Sequence, residues 1–267
     1  MTPVLLAHLL VLFVAAMMAG ATNAIAGGGT FFSFPALMAL GVPPLVANAT
    51  NAVCVTPGHA LAAVVYRREI ARAPWRVFMC TIAASAGAVG GAWLLTVTNA
   101  RTFATLVPWL LLIATLMFAF GPAMQKLSKR LAAGKTQTVP ADPRTVGNNV
   151  RSWVGYGLAS IYGGYFGAGQ GIVLMTVVTL TGVEDLQEAN AIKNAVATCA
   201  SLVAVIVLSQ RGLILWNYGL LMVVGALIGG FAGAKLAKVL SKELLRKVIL
   251  GVAVSLTVVY FWRTYAG

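Results

Sequence analysis

The sequence has few charged residues for its length, and this shortage limits the class of protein. Only 9% of its 267 residues are charged, whereas 60% are hydrophobic and the mean hydropathy is +0.88. Soluble domains contain roughly 25% charged residues, and a chain this apolar cannot cover its surface with polar groups in water. The composition therefore excludes an ordinary soluble domain. It predicts an all-α, polytopic transmembrane bundle, in which about eight to ten elements fit at ~20 residues per span.

Acidic, cysteine and histidine residues are also scarce, which excludes several kinds of chemistry. The chain has six Asp and Glu, three Cys and two His, and it has no HExxH, GxSxG or Walker sequence. The carboxylates lie in loops or near the ends of apolar segments, so paired intramembrane acids are missing. Cys54, Cys80 and Cys199 lie singly in apolar runs, where we expect packed apolar side chains. We therefore predict no enzyme activity, no metal site and no cofactor.

Basic residues outnumber acidic ones and give a formal net charge of +13. Four of the 19 Lys and Arg lie at 67–76, six at 126–151 and five at 235–247, and each cluster separates apolar runs. This is the positive-inside pattern, in which basic loops of a membrane protein stay in the cytoplasm. The distribution argues against a nucleic-acid partner. It predicts cytoplasmic loops at these three ranges and both chain termini outside.

The apolar segments form two groups of five around a polar linker. They run at about 4–26, 30–40, 45–66, 76–96 and 102–121, and then at 152–168, 171–181, 188–209, 214–236 and 245–262. We predict a first transmembrane repeat at 1–121, a cytoplasmic linker at 122–150 and a second repeat at 151–267. Residues 4–19 resemble a secretory signal, but no Lys or Arg precedes them, so we interpret them as a retained first helix.

Paired landmarks indicate that the two groups are related. Three pairs align in the same order: AGGG at 26–29 with AGQG at 168–171, ANATNAV at 47–53 with ANAIKNAV at 189–196, and Gly90-Gly91 with Gly229-Gly230. The basic loops place the start of the first group outside and the start of the second group inside. Equivalent elements therefore run in opposite directions, which predicts an inverted-topology repeat of the kind common in secondary transporters.

The segments at 30–40 and 171–181 are too short for ordinary spans. Eleven helical residues extend about 16 Å, roughly half of the ~30 Å hydrocarbon core. We predict half-helices or re-entrant segments near the midplane, with tilted full crossings as the alternative.

Glycine-rich stretches precede both short segments. The first stretch contains Asn23, Gly27, Gly28, Gly29 and Thr30, and the second contains Gly167, Gly169, Gln170 and Gly171. Glycine is a poor helix former, and backbone groups freed in lipid must be satisfied by protein or by a water-filled cavity. A helix break would expose N–H groups at the start of the following helix, where anions bind. Close helix packing through small residues is the alternative, and both can hold.

Polar side chains lie at the start of the third segment of each group. They are Asn48, Thr50 and Asn51 in the first half, and Asn190, Lys193 and Asn194 in the second. Asn inside a span is costly unless it is paired, so these side chains either cap a helix or line a polar path. Lys193 either neutralises an anionic substrate or extends to the cytoplasmic surface, where it would pair with Glu188 or Asp185.

His59 is a candidate for proton relay. It follows Pro57 and Gly58 in the middle of the third segment, where we expect these two residues to break the helical hydrogen-bond ladder. An imidazole takes up and releases a proton near neutral pH. The equivalent stretch of the second half, 198–201, has no His, which weakens this interpretation.

These motifs together resemble the sulfite exporter TauE/SafE family of membrane permeases. The resemblance is carried by GGGTFFSFPALMALGVPPLVANATNAV at 27–53, by Arg67-Arg68, and in the second half by GAGQG and GVEDLQEANAIKNAV. It covers nearly the whole chain except the linker. It implies transport of small anions, typically sulfur oxyanions or organosulfonates such as sulfite, across a bacterial inner membrane, driven by the proton motive force. The motifs identify a family and not a substrate.

The predicted function is a secondary transporter with an anion site between the two halves and an alternating-access mechanism. Backbone amides near Gly27–Thr30 and Gly167–Gly171 would hold the anion, with contacts from Asn51, Asn194 and Lys193. A passive anion channel remains open as an alternative, as does a non-transport membrane subunit. The expected partners are the anion and the lipid bilayer. Whether the chain also forms a homodimer is left open by the sequence.

Overall fold

The structure is a computed structural model that describes residues 3–26, 28–133, 150–183, 185–236 and 242–266. Its helices are α1 Pro3–Ala26, α2 Thr30–Ala39, α3 Pro44–Val65, α4 Arg67–Arg72, α5 Pro74–Val97, α6 Ala100–Ala133, α7 Val150–Tyr165, α8 Gln170–Leu180, α9 Leu186–Gln210, α10 Trp216–Leu236 and α11 Lys242–Tyr265. These ranges contain no strand. Of the described helices, only the short α4, in the first basic loop, is not anticipated by the sequence.

Six described helices are long and apolar enough to cross a membrane, namely α1, α5, α6, α9, α10 and α11. Large apolar side chains such as Leu10, Leu158 and Phe231 are exposed on the bundle surface, as expected for a surface that faces lipid. The predicted all-α transmembrane bundle is therefore confirmed. The two short segments form helices of 10 and 11 residues, α2 and α8, and these lengths favour the half-helix interpretation.

The polar residues near the start of α3 do not cap it. The helix begins before Asn48, Thr50 and Asn51, so all three lie inside it. Its counterpart α9 is capped by Asp185, whose carboxylate accepts a hydrogen bond of 2.7 Å from the backbone N–H of Glu188. The capping alternative is therefore wrong for the polar residues of both halves, whose side chains are available for other contacts.

Two helices continue where the sequence predicts an interruption. α3 runs through Pro57 and Gly58 without a break. α6 continues past the predicted boundary at residue 121 and ends at Ala133, so the first part of the predicted linker is helical. The rest of the linker, 134–149, lies outside the described residues. The division into two repeats stays a prediction.

A contact from α11 compensates for Pro122, which lies inside α6. Pro122 has no N–H, so the carbonyl of Phe118, four residues earlier, loses its helical donor. The guanidinium of Arg246 donates to the carbonyl oxygens of Phe118 at 3.3 Å and Ala119 at 2.6 Å. This contact holds α11 against α6 at the proline, just before Gln125.

The most extensive helix contacts, α1 with α10 and α5 with α7, depend on glycine. A Cβ on Gly229 of α10 would overlap the carbonyl oxygen of Met17 on α1. A Cβ on Gly91 of α5 would likewise overlap the carbonyl oxygen of Ile161 on α7. Helices in lipid associate mainly through packing, and small residues allow this close approach. The fourth apolar segment of each half therefore packs against the first helix of the other half.

The structure shifts one aligned landmark by a residue. Gly91 and Gly229 are the packing glycines, whereas a Cβ on Gly90 would meet nothing within 4 Å. A Cβ on Gly230 would lie 3.7 Å from the carbonyl oxygen of Gly20. Within the predicted repeat, the packing therefore pairs Gly91 with Gly229 and not with Gly230.

Other helix contacts also occur in exchanged pairs. α3 contacts α10 as α9 contacts α5, and α2 contacts α11 as α8 contacts α6. Suppose that α1, α2, α3, α5 and α6 correspond, in this order, to α7, α8, α9, α10 and α11. Each of these contacts then has an equivalent contact in which the two halves have changed places. Two halves related by a two-fold axis would produce this packing. The opposed membrane orientation of the halves stays a prediction.

We expect Gly91→Val to destabilise the protein and Gly90→Val to be tolerated. Both positions lie on α5, and both changes replace glycine with valine. Only the side chain at 91 would collide with the backbone of α7. Overpacking of this kind typically costs about 1–3 kcal/mol. The measurement is the melting temperature of the detergent-solubilised variants, and equal melting temperatures would contradict the packing role.

Candidate functional site

A cavity of about 520 Å³ brings most of the predicted site residues together. Its walls come from the end of α1, the starts of α2 and α8, the second half of α3, the first turns of α9, and α6. The predicted residues that line it are Asn23, Thr30, His59, Gly167, Gln170, Gly171, Asn190, Lys193 and Asn194. Polar groups of both halves therefore face one space.

The starts of both short helices reach this cavity. α2 begins at Thr30 and α8 begins at Gln170, and both residues line the cavity wall. The chain turns into α8 through Gly167 and Gly169, whose φ angles of 78° and 76° favour glycine. At both starts, first-turn N–H groups donate to preceding glycine carbonyls, Phe31 to Gly28 at 3.2 Å and Ile172 to Gly169 at 2.9 Å, so these ends contribute mainly the partial positive charge of a helix N-terminus. Two such ends beside one cavity make it favourable for negative charge.

The two glycine stretches differ in their backbone. Gly29, which precedes α2, has the helical angles φ −58° and ψ −39°, so no left-handed turn like that of the second half occurs there. Gly27 lies outside the described residues. Gly28 and Gly29 pack on other helices: a Cβ on Gly28 would lie 2.8 Å from Ile249, and one on Gly29 2.6 Å from the carbonyl oxygen of Ala19. These two glycines serve packing and do not line the cavity.

Lys193 faces the cavity and does not reach either nearby carboxylate. Its ammonium group donates a hydrogen bond of 3.2 Å to the side-chain oxygen of Asn190. Glu188 pairs instead with Arg76 of α5 at 2.7 Å, and Asp185 caps α9. The pairing alternative for Lys193 is therefore wrong. Among the described residues that line the cavity, none is Asp or Glu, so the charge of Lys193 acts on the cavity itself.

His59 lies in the same cavity and within electrostatic reach of Lys193. It stands just after Pro57, on the part of α3 that forms one wall. The side-chain nitrogen of Asn23 approaches this wall at Gly58, where a Cβ would lie only 2.9 Å from it. Glycine at this position therefore leaves room for Asn23 beside the imidazole.

The asparagines of α3 lie deeper than the cavity. The side chain of Asn51 accepts a hydrogen bond from the hydroxyl of Ser33 and donates one of 3.5 Å to the hydroxyl of Thr30. Asn48 donates to the carbonyl oxygen of Tyr165 at 2.8 Å. Asn48 and Asn51 line a second, much smaller cavity of about 20 Å³, which shares Thr30, Gly167 and Gln170 with the large one.

Thr50 and Gly169 do not line either cavity. The hydroxyl of Thr50 accepts a hydrogen bond of 3.0 Å from the backbone N–H of Leu215, just before α10. A Cβ on Gly169 would contact Met117 of α6 at 3.4 Å. Both predicted site residues thus have structural contacts.

Several lining residues are missed by the sequence analysis. Tyr66, Gln125 and Met175 line the large cavity, yet no motif contains them. Gln125 falls in the predicted linker, and only the continuation of α6 brings it to the cavity. The helical spacing of Tyr66 with His59 and Ala62 on α3 was the one available signal.

The large cavity extends towards the predicted cytoplasmic side. Tyr66 directly precedes Arg67, and Gln125 directly precedes Lys126, so the cavity reaches the basic loops. At the opposite end, Asn48 joins α3 to the end of α7 and Thr50 joins it to the residue before α10, through the hydrogen bonds described above. Phe166 adds an edge-to-face contact with Phe34, with ring centroids 5.6 Å apart.

A helical membrane bundle with a polar cavity at the junction of its helix groups is the architecture of a membrane transporter. The family model described as "Sulfite exporter TauE/SafE" matches residues 12–260. The chain belongs to this family, and the resemblance seen in its motifs is confirmed.

Similar proteins have names that agree with this class. The chain is 28% identical over 249 residues to a "Probable membrane transporter protein" of Haemophilus influenzae, covering 91% of this chain and 90% of that protein. It is 29% identical over 253 residues to "Probable membrane transporter protein ORF9" of Sinorhizobium sp, covering 94% and 92%. It is 27% identical over 242 residues to "Probable membrane transporter protein YfcA" of Escherichia coli K12, covering 90% and 84%. No solved structure matches the chain significantly.

The different positions of Asn51 and Asn194 lead to a prediction. We expect Asn51→Ala to lower the melting temperature more than Asn194→Ala. The first change removes hydrogen bonds to Ser33 and Thr30 inside the fold, at a cost of about 1–3 kcal/mol, whereas Asn194 faces the large cavity. A thermal unfolding assay of the solubilised variants without added anion measures the difference. A larger effect of Asn194→Ala would contradict this distinction.

Proposed function

We propose that the protein is a secondary transporter that moves a small anion, such as sulfite or an organosulfonate, through the large cavity. The observation that carries this proposal is the position of Lys193. Its ammonium faces a polar cavity that no described carboxylate lines, beside the starts of α2 and α8. A cation in this setting, next to two helix N-termini, favours an anion over a neutral or cationic solute.

The class of anion comes from the family, and the site adds a physical reason for it. The family description names a sulfite exporter, and an oxyanion has several acceptor oxygens. Asn190, Asn194 and Lys193 supply side-chain donors from α9, while Asn23 and Thr30 supply donors from the first half. Hydrogen bonds to a charged group contribute about 1.5–3 kcal/mol each. Convergence of several donors therefore suits a compact, multiply accepting anion.

The proposed mechanism is alternating access with proton coupling. The exchanged helix pairs and the charge pattern support two inverted halves, with both termini outside a bacterial inner membrane. The described conformation has its cavity towards the predicted cytoplasm. His59 is the proposed proton carrier, because a proton on its imidazole adds to the positive charge of the cavity when the anion is bound. Anion and proton would then move together.

We expect Lys193→Gln to reduce anion transport at subsaturating concentration by about tenfold or more, since loss of one charge-assisted hydrogen bond removes at least ~1.4 kcal/mol of binding. Lys126→Gln is the matched control, because Lys126 is exposed and does not line the cavity. The measurement is uptake of labelled sulfite, thiosulfate or a small sulfonate into proteoliposomes. Equal losses in both variants, or none in either, would exclude Lys193 from the site.

The same proteoliposomes distinguish a coupled transporter from a passive conduit. A coupled transporter accumulates the anion only when a proton gradient is imposed, whereas a passive channel equilibrates it at the same rate without one. Accumulation that survives in His59→Gln would remove His59 from the coupling mechanism and leave the anion site intact.

The orientation of the cavity is tested with cysteine reporters in a background in which Cys54, Cys80 and Cys199 are replaced by Ala. Asn190→Cys lies in the cavity near the start of α9, and Arg211→Cys is exposed just after the same helix ends. We expect a membrane-impermeant maleimide to label Asn190→Cys from the cytoplasmic side and Arg211→Cys from the outside. The reverse pattern would overturn the proposed orientation.

A further inference from the structure

Two buried polar atoms beside the small cavity have no partner among the described residues. They are the side-chain oxygen of Asn48 and the side-chain nitrogen of Gln170. Both residues are only 4% exposed. A buried polar group without a partner is rare in native structures and indicates an unseen ligand or water. These two atoms are complementary, because one accepts a hydrogen bond and the other donates.

The direction of the Asn48 amide follows from its other contact. Its nitrogen donates to the carbonyl oxygen of Tyr165 at 2.8 Å. Reversing the amide would place two oxygens against each other, so the side-chain oxygen is the atom left over. Gln170 is held as firmly, because its amide lies where a Cβ on Gly163 would be. Asn48 cannot turn without losing its bond to Tyr165, and the Gln170 amide is confined to its place against Gly163.

Both residues line the small cavity of about 20 Å³. A water molecule needs about 10–15 Å³ of space for its centre and two to four polar partners. The hydroxyl-bearing residues Thr30 and Ser201 line the same cavity and supply further partners. Space and chemistry therefore both match a single water molecule.

We propose that one ordered water occupies this small cavity, accepting a hydrogen bond from Gln170 and donating one to Asn48. A sodium ion fits less well, because the amide hydrogens of Gln170 would face it and no described Asp or Glu lines the cavity. The water would bridge α3 of the first half to α8 of the second, directly behind the large cavity. The two halves would then meet there through water-mediated hydrogen bonds, which rearrange more readily than direct contacts between side chains.

The test is X-ray hydroxyl-radical labelling of the solubilised protein, read by mass spectrometry, because radicals form at bound waters even where bulk solvent does not reach. Phe166 and Leu208 line the small cavity and are buried. We expect both to be labelled several-fold more than Leu12 and Phe31, which are equally buried and line neither cavity. Labelling of Phe166 and Leu208 at the level of these two controls would overturn the proposal.

Two variants and a salt comparison sharpen the result. Gln170→Met keeps the length of the side chain but removes the donor, so labelling of Phe166 should fall to background. Thr115→Val, a buried change at the α6–α11 contact, should leave it unchanged. If Gln170→Met does not fold, the comparison within the wild-type protein still decides. A melting temperature that rises in sodium relative to choline chloride would show a cation in place of water, and it would leave the anion site of the large cavity untouched.

Discussion

The close approach of α1 to α10 and of α5 to α7 determines where the rest of the molecule lies. The backbones meet at Gly229 and Gly91, where no side chain would fit. Because α2 follows α1 after a few residues and α8 follows α7 in the same way, the two contacts also position the starts of both short helices. The large cavity forms where these starts reach α3 and α9. Glycine spacing on four helices therefore determines the helix positions on which the polar contacts of the site depend.

The polar groups inside the bundle are divided between structural and solvent-facing roles. Asn51 and Thr50 have protein partners that join helices. Lys193 and Asn190 bond to each other and leave donor capacity towards the cavity. The division matters because an unpaired polar group is costly in a membrane interior, so the groups without a protein partner must face water or solute. The large cavity is the place inside the bundle where such groups can face water or solute.

Composition and charge were sufficient to predict the membrane bundle and the positions of most helices. The short helices α2 and α8 were also visible, because glycine-rich stretches precede both short apolar segments. The packing pairs Gly91 with Gly229, one residue away from the sequence alignment, because Gly90 and Gly91 are indistinguishable in sequence and only the neighbouring helix distinguishes the residue that packs.

The site was harder to predict, since its contacts join distant parts of the chain. No local sequence pattern shows that Arg76 of α5 forms the ion pair with Glu188, so that Lys193 is left facing the cavity. The predicted repeat aligns Asn51 with Asn194, yet only Asn51 has recorded hydrogen bonds to Ser33 and Thr30, which no local pattern indicates. Gln125 lies in the predicted linker and reaches the cavity only because α6 continues past Pro122.

The contact between Arg246 and the carbonyls at Pro122 has a mechanical consequence. Together with the 3.1 Å hydrogen bond between Thr115 and Thr257 and the 3.0 Å bond between Trp109 and Tyr265, it fastens α6 to α11 along their length. These helices come last in their respective halves of the sequence. A motion of the first half of the sequence against the second would have to break these hydrogen bonds. A motion that moves α6 and α11 together would keep them. The rigid bodies of the molecule therefore need not coincide with its repeats.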